Sequence, residues 1–238
     1  ARVTNTFALS PGTDFFGYRD PDGDGMTFNS DFAFKDQGNV DTWGVGLRAE
    51  FDINDNLSLT AITDFKDYEK LLFLDVDAGP VNQSANYASV DATSFTQELR
   101  LNGTADKMRW VAGLYYLNID NTSANGLKFP INSVVPGSPQ DLGSDADLQT
   151  NSYSVFGQVE YDLRDDLTLI LGARVIQEEK DYTFGQNLYF TANSSQIHQG
   201  TPVPLGPVPA PPGGQPSAFS DDTSDTLWAG KVQLDWRL

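Results

Sequence analysis

The residues of this sequence that are best suited to chemistry form an acidic turn near its start. Asp20, Asp22 and Asp24 occur at alternate positions, Gly25 follows, and Asp31 occupies the twelfth position of the segment. Acids at positions 1, 3, 5 and 12 with glycine at position 6 are typical of a calcium loop, because Ca²⁺ prefers several oxygen ligands. Position 12 is the shorter aspartate, position 2 is proline, and no flanking helices are evident. These four aspartates are therefore a candidate calcium site, with a plain acidic turn as the alternative.

The rest of the sequence contains no recognisable catalytic motif. It has no cysteine, and its single histidine, His198, cannot form a transition-metal site alone. It also lacks a histidine-containing catalytic triad and a glycine-rich phosphate loop with lysine. Its 33 acidic and 15 basic residues give a net charge of −18, which argues against nucleic acid as a partner, because phosphate binding needs a basic surface. We expect no enzyme activity and no cofactor other than calcium.

Strands with alternating side chains must position any functional residues. Seven segments of nine to twelve residues alternate apolar with polar positions, and each is long enough to cross a bilayer when tilted. The sequence contains no run of 18 apolar residues, so no transmembrane helix is predicted. The segments are 42–53, 57–68, 94–102, 107–118, 151–162, 167–177 and 227–237, and residues 1–10 provide a further strand, which makes about eight.

The connections between these segments are short on one side and long on the other. Short polar turns at 53–56, 102–106 and 163–166 close three hairpins, and long acidic connections at 69–93, 123–149 and 185–225 separate them. This asymmetry is typical of an all-β, antiparallel, up-and-down transmembrane β-barrel with short periplasmic turns and long extracellular loops. We therefore predict such a barrel in the cell outer membrane.

Odd and even positions separate apolar from charged side chains in most segments. A charge that faces lipid at mid-depth costs about 2–4 kcal/mol for Arg or Lys, whereas a charge in the lumen is hydrated or paired. The apolar rows are therefore expected to face lipid, although segment 107–118 is apolar on both rows and its facing stays open. The predicted lumen-facing wall residues are Arg48, Glu50, Asp64, Glu98, Arg100, Glu160, Arg174 and Lys231.

The four tryptophans, Trp43, Trp110, Trp228 and Trp236, are the candidate aromatic girdle. If the short turns are periplasmic, Trp43 and Trp228 lie at the outer rim and Trp110 and Trp236 at the inner rim, as expected of aromatic girdles at both membrane interfaces. The alternative is that aromatic residues simply favour strands.

Cross-strand pairing of apolar residues predicts a register for two hairpins. Pairing Phe51 with Leu57 places Trp43 opposite Phe65. In the third hairpin, the same rule pairs Tyr161 with Leu167, Val159 with Leu169, Val155 with Ala173, Phe156 with Gly172, and Ser154 with Arg174.

Four short phrases carry a resemblance to a known family. They are 94–101 (SFTQELRL), 109–116 (RWVAGLYY), 153–159 (YSVFGQV) and 167–174 (LTLILGAR). Together they resemble the barrel portion of TonB-dependent outer-membrane receptors, and the resemblance covers most of residues 14–238. It implies a 22-stranded barrel around an N-terminal plug and active uptake of a scarce solute, such as a siderophore-bound metal, a vitamin or a glycan. It also implies energy coupling to the TonB system through the plug.

The sequence departs from the full family pattern. It shows no plug and no TonB-box-like segment, it has about eight strands rather than 22, and Leu238 replaces the expected terminal aromatic residue. Residues 1–238 are therefore expected to be one barrel segment of a longer receptor. A small closed outer-membrane barrel with a structural or adhesive role is the alternative, and a soluble β-sandwich is a third possibility.

The expected partners follow from these interpretations. They are outer-membrane lipid, lipopolysaccharide whose phosphates are bridged to the acidic loops by divalent cations, a small-molecule ligand, and the TonB energy-coupling system.

Overall fold

Seven long strands form a single antiparallel sheet in the computed structural model, which describes residues 38–75, 84–129, 140–189 and 218–237. Each predicted segment from 42–53 onward falls on one of these strands, with 107–118 and 227–237 each extending one residue beyond its strand, so the all-β, up-and-down architecture is confirmed. No helix in these four ranges is long and apolar enough to cross a membrane. The strands are β1 (Gly38–Asn54), β2 (Leu57–Asp75), β3 (Ala85–Ala105), β4 (Met108–Phe129), β5 (Gln140–Arg164), β6 (Leu167–Tyr189) and β7 (Ala218–Trp236).

The sheet follows the chain order from β1 to β7 and is not closed. Every neighbouring pair is antiparallel, so β1 and β7, at the two edges, run in the same direction. Antiparallel closure therefore requires an odd number of further strands between them. The predicted strand at residues 1–10 lies outside the described residues.

The strands are 17 to 25 residues long. They extend into both ends of the connections predicted at 69–93, 123–149 and 185–225, so these predicted connections are too long. Residues 69–75 and 85–93, for example, continue β2 and β3. These extensions mix polar and apolar residues on both faces, so they lack the alternation that predicts a strand. The backbone ladder continues nevertheless, because its hydrogen bonds do not depend on side-chain polarity.

The predicted register of two hairpins is wrong by two residues. Phe51 pairs with Leu59, and Trp43 therefore faces Asp67 rather than Phe65. Tyr161 likewise pairs with Leu169. The strands run on to Asn54 and Arg164, and a β-bulge just before each end absorbs one residue. The faces are unchanged, because a shift of two residues preserves the side-chain parity.

The second hairpin also turns later than predicted. Ala105 pairs with Met108, so the turn is 106–107 rather than 102–106. Gly103 lies within β3 opposite Trp110, whose ring occupies the space where a side chain at Gly103 would lie. The glycine that was expected to make the turn instead accommodates an aromatic neighbour.

Successive short turns are staggered in one direction. Leu57, the first residue of β2, pairs with Gly103, which lies two residues before the end of β3. Tyr161 pairs with Met108 at the start of β4 and with Leu169, which lies two residues beyond the start of β6. A constant stagger is what tilted strands in a barrel wall require.

Candidate functional site

The sheet has two chemically different faces, and their exposure is the reverse of that in a soluble protein. Val155 is 61% exposed, whereas its neighbour Ser154 is 5% exposed. On β6, Leu171 and Val175 are exposed while Thr168 is buried. A large exposed apolar surface is unfavourable in water, but it suits a barrel wall surrounded by lipid.

The apolar face is continuous across all seven strands. One cross-strand row contains only apolar residues, and Trp228, at its end, is 81% exposed. We call this side of the sheet the apolar face and the other side the charged face. The row consists of Ala49, Ala61, Leu99, Leu114, Val155, Val175 and Trp228.

The register settles the facing of segment 107–118. Leu114 pairs with Leu99 and Val155, which places it on the apolar face, together with Trp110 and Tyr116. Tyr115 lies on the charged face. The alternation along β4 alone could not show which of its residues lie on the apolar face, because β4 is apolar on both faces near its middle.

Aromatic side chains on the apolar face contact one another in two groups. Trp43 and Phe65 have ring centroids 5.3 Å apart, and Tyr116 lies 6.2 Å from Phe95 and 5.0 Å from Tyr153. These rings stand eight to eleven residues from the short-turn ends of their strands. At about 3.4 Å per residue and a tilt of about 45°, this is roughly 20–25 Å from those ends.

All four predicted girdle tryptophans lie on the apolar face. Trp110 and Trp236 lie close to the short-turn ends of β4 and β7, and Trp228 lies eight residues before Trp236. The indole Nε1 of Trp236 donates a hydrogen bond to Asp166 Oδ2 at 3.0 Å. The arrangement gives one aromatic level near the short turns and another near the far end of the apolar rows.

The eight predicted wall residues all lie on the charged face, and neighbouring acids neutralise most of its cations. Each of these cations pairs with an acid two residues away on the same strand. The pairs are Arg48 with Glu50 (Nε to Oε1, 2.9 Å), Lys66 with Asp64 (3.4 Å), Lys180 with Glu178 (2.6 Å), and Arg100 with Glu98. The described wall is therefore largely self-neutralised within single strands.

Arg174 is an exception to this pattern. Its guanidinium lies 5.4 Å from the centre of the Tyr115 ring and 5.9 Å from that of Phe156, and its Nη2 donates to Ser154 Oγ at 2.9 Å. The Nε atom is buried without a hydrogen-bond acceptor. Lys231, the last predicted wall residue, has no ion pair with a described residue.

The predicted partners of Phe156 and Arg174 are wrong, because of the two-residue register error. Phe156 pairs with Arg174 on one side and with Gly113 on the other. A Cβ atom on Gly113 would lie 2.3 Å from Phe156 Cζ, so this ring covers Gly113 rather than Gly172. Arg174 reaches Ser154 diagonally rather than directly across the strands.

An ionic cluster joins three strands near the short turns. Arg109 makes two parallel hydrogen bonds to Asp162, at 2.9 and 3.0 Å, and a third to Glu160 at 3.3 Å. The hydroxyl of Thr168 donates to Asp162 at 2.7 Å. The hydrogen bonds from Arg109, followed by that from Thr168, lower the pKa of Asp162 to about 2, and hydrogen bonds to Asp162 and Glu160 raise the pKa of Arg109 above its usual value. Arg109 lies one residue nearer the short turn than Trp110, and Asp162 lies two residues before the end of β5.

A second cluster lies at the opposite end of the sheet and is fully buried. Lys128 and Asp141 face each other on β4 and β5 and form an ion pair of 3.1 Å, with side chains 2% and 0% exposed. Tyr87 donates a hydrogen bond to Asp141 at 2.9 Å, and Lys128 lies 5.4 Å from the centre of the Tyr87 ring. Phe73 packs on Tyr87 at 6.0 Å. Sequence reasoning missed this cluster, because Lys128 and Asp141 fell within a predicted loop and only the register brings them together.

The candidate calcium ligands Asp20, Asp22, Asp24 and Asp31 lie outside the described residues. Within the described ranges, no three His or acidic side chains group in a way that could hold a metal ion.

Comparison with known proteins agrees with the observed architecture. The family model described as TonB dependent receptor-like, beta-barrel matches residues 1–238. No curated protein matches the sequence significantly. The structure is similar to the ferric yersiniabactin uptake receptor FyuA from Yersinia pestis, with a TM-score of 0.55 and 14% identity over 84% of this chain and 26% of that one.

A second solved structure is similar in the same way. The closed form of the ferric-catecholate import receptor Fiu from E. coli K12 has a TM-score of 0.55 and 18% identity over 85% of this chain and 31% of that one. At these identities the likeness shows the fold. The chain thus spans between a quarter and a third of the length of these receptors.

Proposed function

Because the chain belongs to the TonB-dependent receptor β-barrel family, we propose that it forms part of the wall of an outer-membrane receptor that actively takes up a scarce solute. The observation that carries this proposal is the exposed apolar face opposite a charged face. Such a wall separates lipid from a wet interior. The eight wall residues then line the lumen, and the tryptophans form girdles at the two interfaces.

The transport role is tested with the full-length gene. Deletion should abolish energy-dependent uptake of the solute, and complementation should restore it only in cells with an intact TonB system. Restoration in cells that lack TonB would contradict the proposal. A requirement for detergent or lipid to keep the purified receptor soluble would support the outer-membrane location.

We further propose that the solute is a ferric siderophore. Both similar structures are import receptors for ferric complexes by their descriptions. On the charged face, far from the short turns, Phe219 lies 5.5 Å from Tyr182 and 5.6 Å from Phe184. Three adjacent aromatic rings suit an aromatic ligand such as a catecholate, since aromatic rings stack on one another.

A ferric catecholate complex is the probe for this solute class. Replacement of Phe219 by alanine should weaken its binding to the full-length receptor roughly two- to tenfold, as expected for loss of one aromatic contact. Fluorescence quenching measures the affinity, and Phe65→Ala on the apolar face is the control. Absence of any catecholate binding by the wild-type receptor would contradict this solute class and leave the transport role intact, with a vitamin or a glycan as the remaining candidates.

Lipopolysaccharide is the proposed lipid partner. Beyond Trp43 on the apolar face, Asp41, Glu69 and Asp91 lie directly opposite one another on β1, β2 and β3. Like charges in direct opposition are destabilising. These carboxylates do not form a metal site by themselves, but divalent cations that are ligated by lipopolysaccharide phosphates would relieve the repulsion. The full-length receptor in lipopolysaccharide vesicles should therefore gain thermal stability with Mg²⁺ and lose it on chelation, whereas Asp91→Asn should respond less. An unchanged melting temperature would argue against this partner.

The calcium loop also stays a proposal. Asp20, Asp22, Asp24 and Asp31 offer oxygen ligands with the spacing that weak calcium binding requires. Calorimetric titration of the full-length receptor should show heat that Asp22→Ala reduces. Equal heats for both proteins would remove the site.

A further inference from the structure

We propose that the inner wall formed by β5, β6 and β7 contains a binding site for an oxyanion, a carboxylate or a phosphate, at Arg174 and Lys231. The inference rests on the orientation of the charged face and does not depend on which solute is transported.

The two cations lack the acidic neighbours that Arg48, Lys66 and Arg100 have. Each of these three contacts an acid two residues away on the same strand. The corresponding neighbours of Arg174 are Gly172 and Ile176, and those of Lys231 are Ala229 and Gln233. Neither cation makes an ion pair with any of the residues that the structure describes.

The register brings these two cations together. Arg174 pairs with Ala229, and Lys231 pairs with Gly172, so the two cations are diagonal neighbours on one face, with their backbones about 7–8 Å apart by strand geometry. Like charges on neighbouring side chains repel each other, and they do so more strongly inside a barrel than in open water. An anion between them would convert this repulsion into attraction.

The wall leaves only a small gap between the two cations. Gly172 has no side chain, but a Cβ built on it would already be in ordinary contact with Gly157 O at 3.5 Å, Lys231 Cβ at 3.6 Å and Gln158 Oε1 at 3.7 Å. An anion would therefore be held by the ends of the Arg174 and Lys231 side chains, above the sheet, rather than in a pocket at Gly172. The nearby acid Glu160 is already engaged by Arg109 at 3.3 Å and by Gln158 at 3.1 Å, so it does not fill the gap.

The Arg174 side chain is held in place for binding. Tyr115 and Phe156 flank its guanidinium at 5.4 and 5.9 Å, and Ser154 accepts one hydrogen bond. Its Nε is buried and has no acceptor. A guanidinium that is fixed by aromatic contacts and keeps unused donors suits a planar carboxylate or a phosphate.

Two sources can supply the anion, and one experiment separates them. The anion is either a free solute or an acidic side chain from another segment of the receptor. Thermal unfolding of the full-length receptor is measured in inorganic phosphate and in chloride at equal ionic strength, for wild type and for Lys231→Gln. Lys231 contacts no charged partner among the described residues, so this change removes charge and little else.

A free-solute site predicts that phosphate stabilises the wild type and that the apparent phosphate affinity falls roughly tenfold in Lys231→Gln, as expected for one charge-assisted hydrogen bond. Lys231→Arg should keep the response, and Lys66→Gln, which alters a self-neutralised pair, should keep it as well. An internal carboxylate predicts no phosphate effect and a lower melting temperature for Lys231→Gln.

The direction in which the melting temperature changes in Lys231→Gln shows whether an anion is bound. If no anion is bound, loss of Lys231 only relieves its repulsion from Arg174, so the melting temperature rises or stays the same and phosphate has no effect. That result would overturn the proposal. A phosphate effect that persists in Lys231→Gln would place the anion elsewhere and would overturn it equally.

Discussion

Replacement of Lys128 by methionine should destabilise the far end of the sheet more than any exposed charge substitution. Asp141 is 0% exposed and would lose its counter-ion, while the hydrogen bond from Tyr87 would remain its only described contact. Removal of one partner from a buried ion pair costs about 3–5 kcal/mol, because an uncompensated charge stays buried. Local opening of β4 and β5 should then become roughly 100- to 4,000-fold more frequent, since each 1.4 kcal/mol is a factor of ten.

The double variant Lys128→Met/Asp141→Leu sharpens this test. Replacement of a whole buried pair by apolar residues of similar volume is often neutral or stabilising by about 1–4 kcal/mol. The two single variants should each be unstable, and the double variant should recover most of the loss. The reference change is Lys66→Met, because Lys66 is 68% exposed in its ion pair with Asp64 and such pairs contribute only about 0–1 kcal/mol.

Hydrogen exchange of the full-length receptor in detergent measures this effect where it occurs. Peptides that cover residues 124–129 and 141–145 should exchange faster in each single variant and near the wild-type rate in the double variant. Unchanged exchange in Lys128→Met, or a double variant that is as unstable as the sum of the single variants, would refute the assignment of this pair as a buried, coupled unit.

Three further changes test other parts of the wall. Leu99→Arg on the apolar face should cost about 2–4 kcal/mol in lipid, whereas Thr96→Arg, directly opposite Asp64 on the charged face, should be tolerated, as folding yield into vesicles will show. The hydrogen bonds from Arg109 lower the pKa of Asp162 to about 2 in the folded protein, against about 3.9 in the unfolded chain. The stabilisation by ionised Asp162 is therefore complete above about pH 4 and is lost as the pH falls towards 2. The unfolding midpoint of Asp162→Asn should depend less on pH across this range than that of the wild type. Gly113→Leu forces a side chain against the facing aromatic ring and should cost about 1–3 kcal/mol, while Gly185→Leu, with nothing within 4 Å of its Cβ position, should unfold like the wild type.

The alternation of residues was enough to predict the architecture and the two faces. Val45, Leu47 and Phe51 fall on one face of β1 and Arg48 and Glu50 on the other, and no tertiary contact is needed to separate them, because side chains alternate with a period of two along any strand. For the same reason, the predicted faces are correct although the predicted register is wrong by two residues. The family could likewise be identified from short phrases of the sequence.

Register and partners depended on contacts that no local pattern specifies. The bulges before Asn54 and Arg164 shift each hairpin, and they follow from how a turn fits its strands rather than from side-chain polarity. The facing of β4 became clear only when Leu114 was found between Leu99 and Val155.

The candidate sites show the same division. Arg174 and Lys231 were identified as wall residues from their parity, but their proximity emerges only from the pairing of β6 with β7. Lys128 and Asp141 lie in polar stretches without alternation, and their opposition on β4 and β5 makes them a buried pair. Periodicity along one strand therefore determines the face on which a residue lies, whereas pairing between strands determines which residues it contacts. Sequence alone could not predict these contacts, because cross-strand neighbours lie far apart in the chain and are set by the whole ladder of hydrogen bonds.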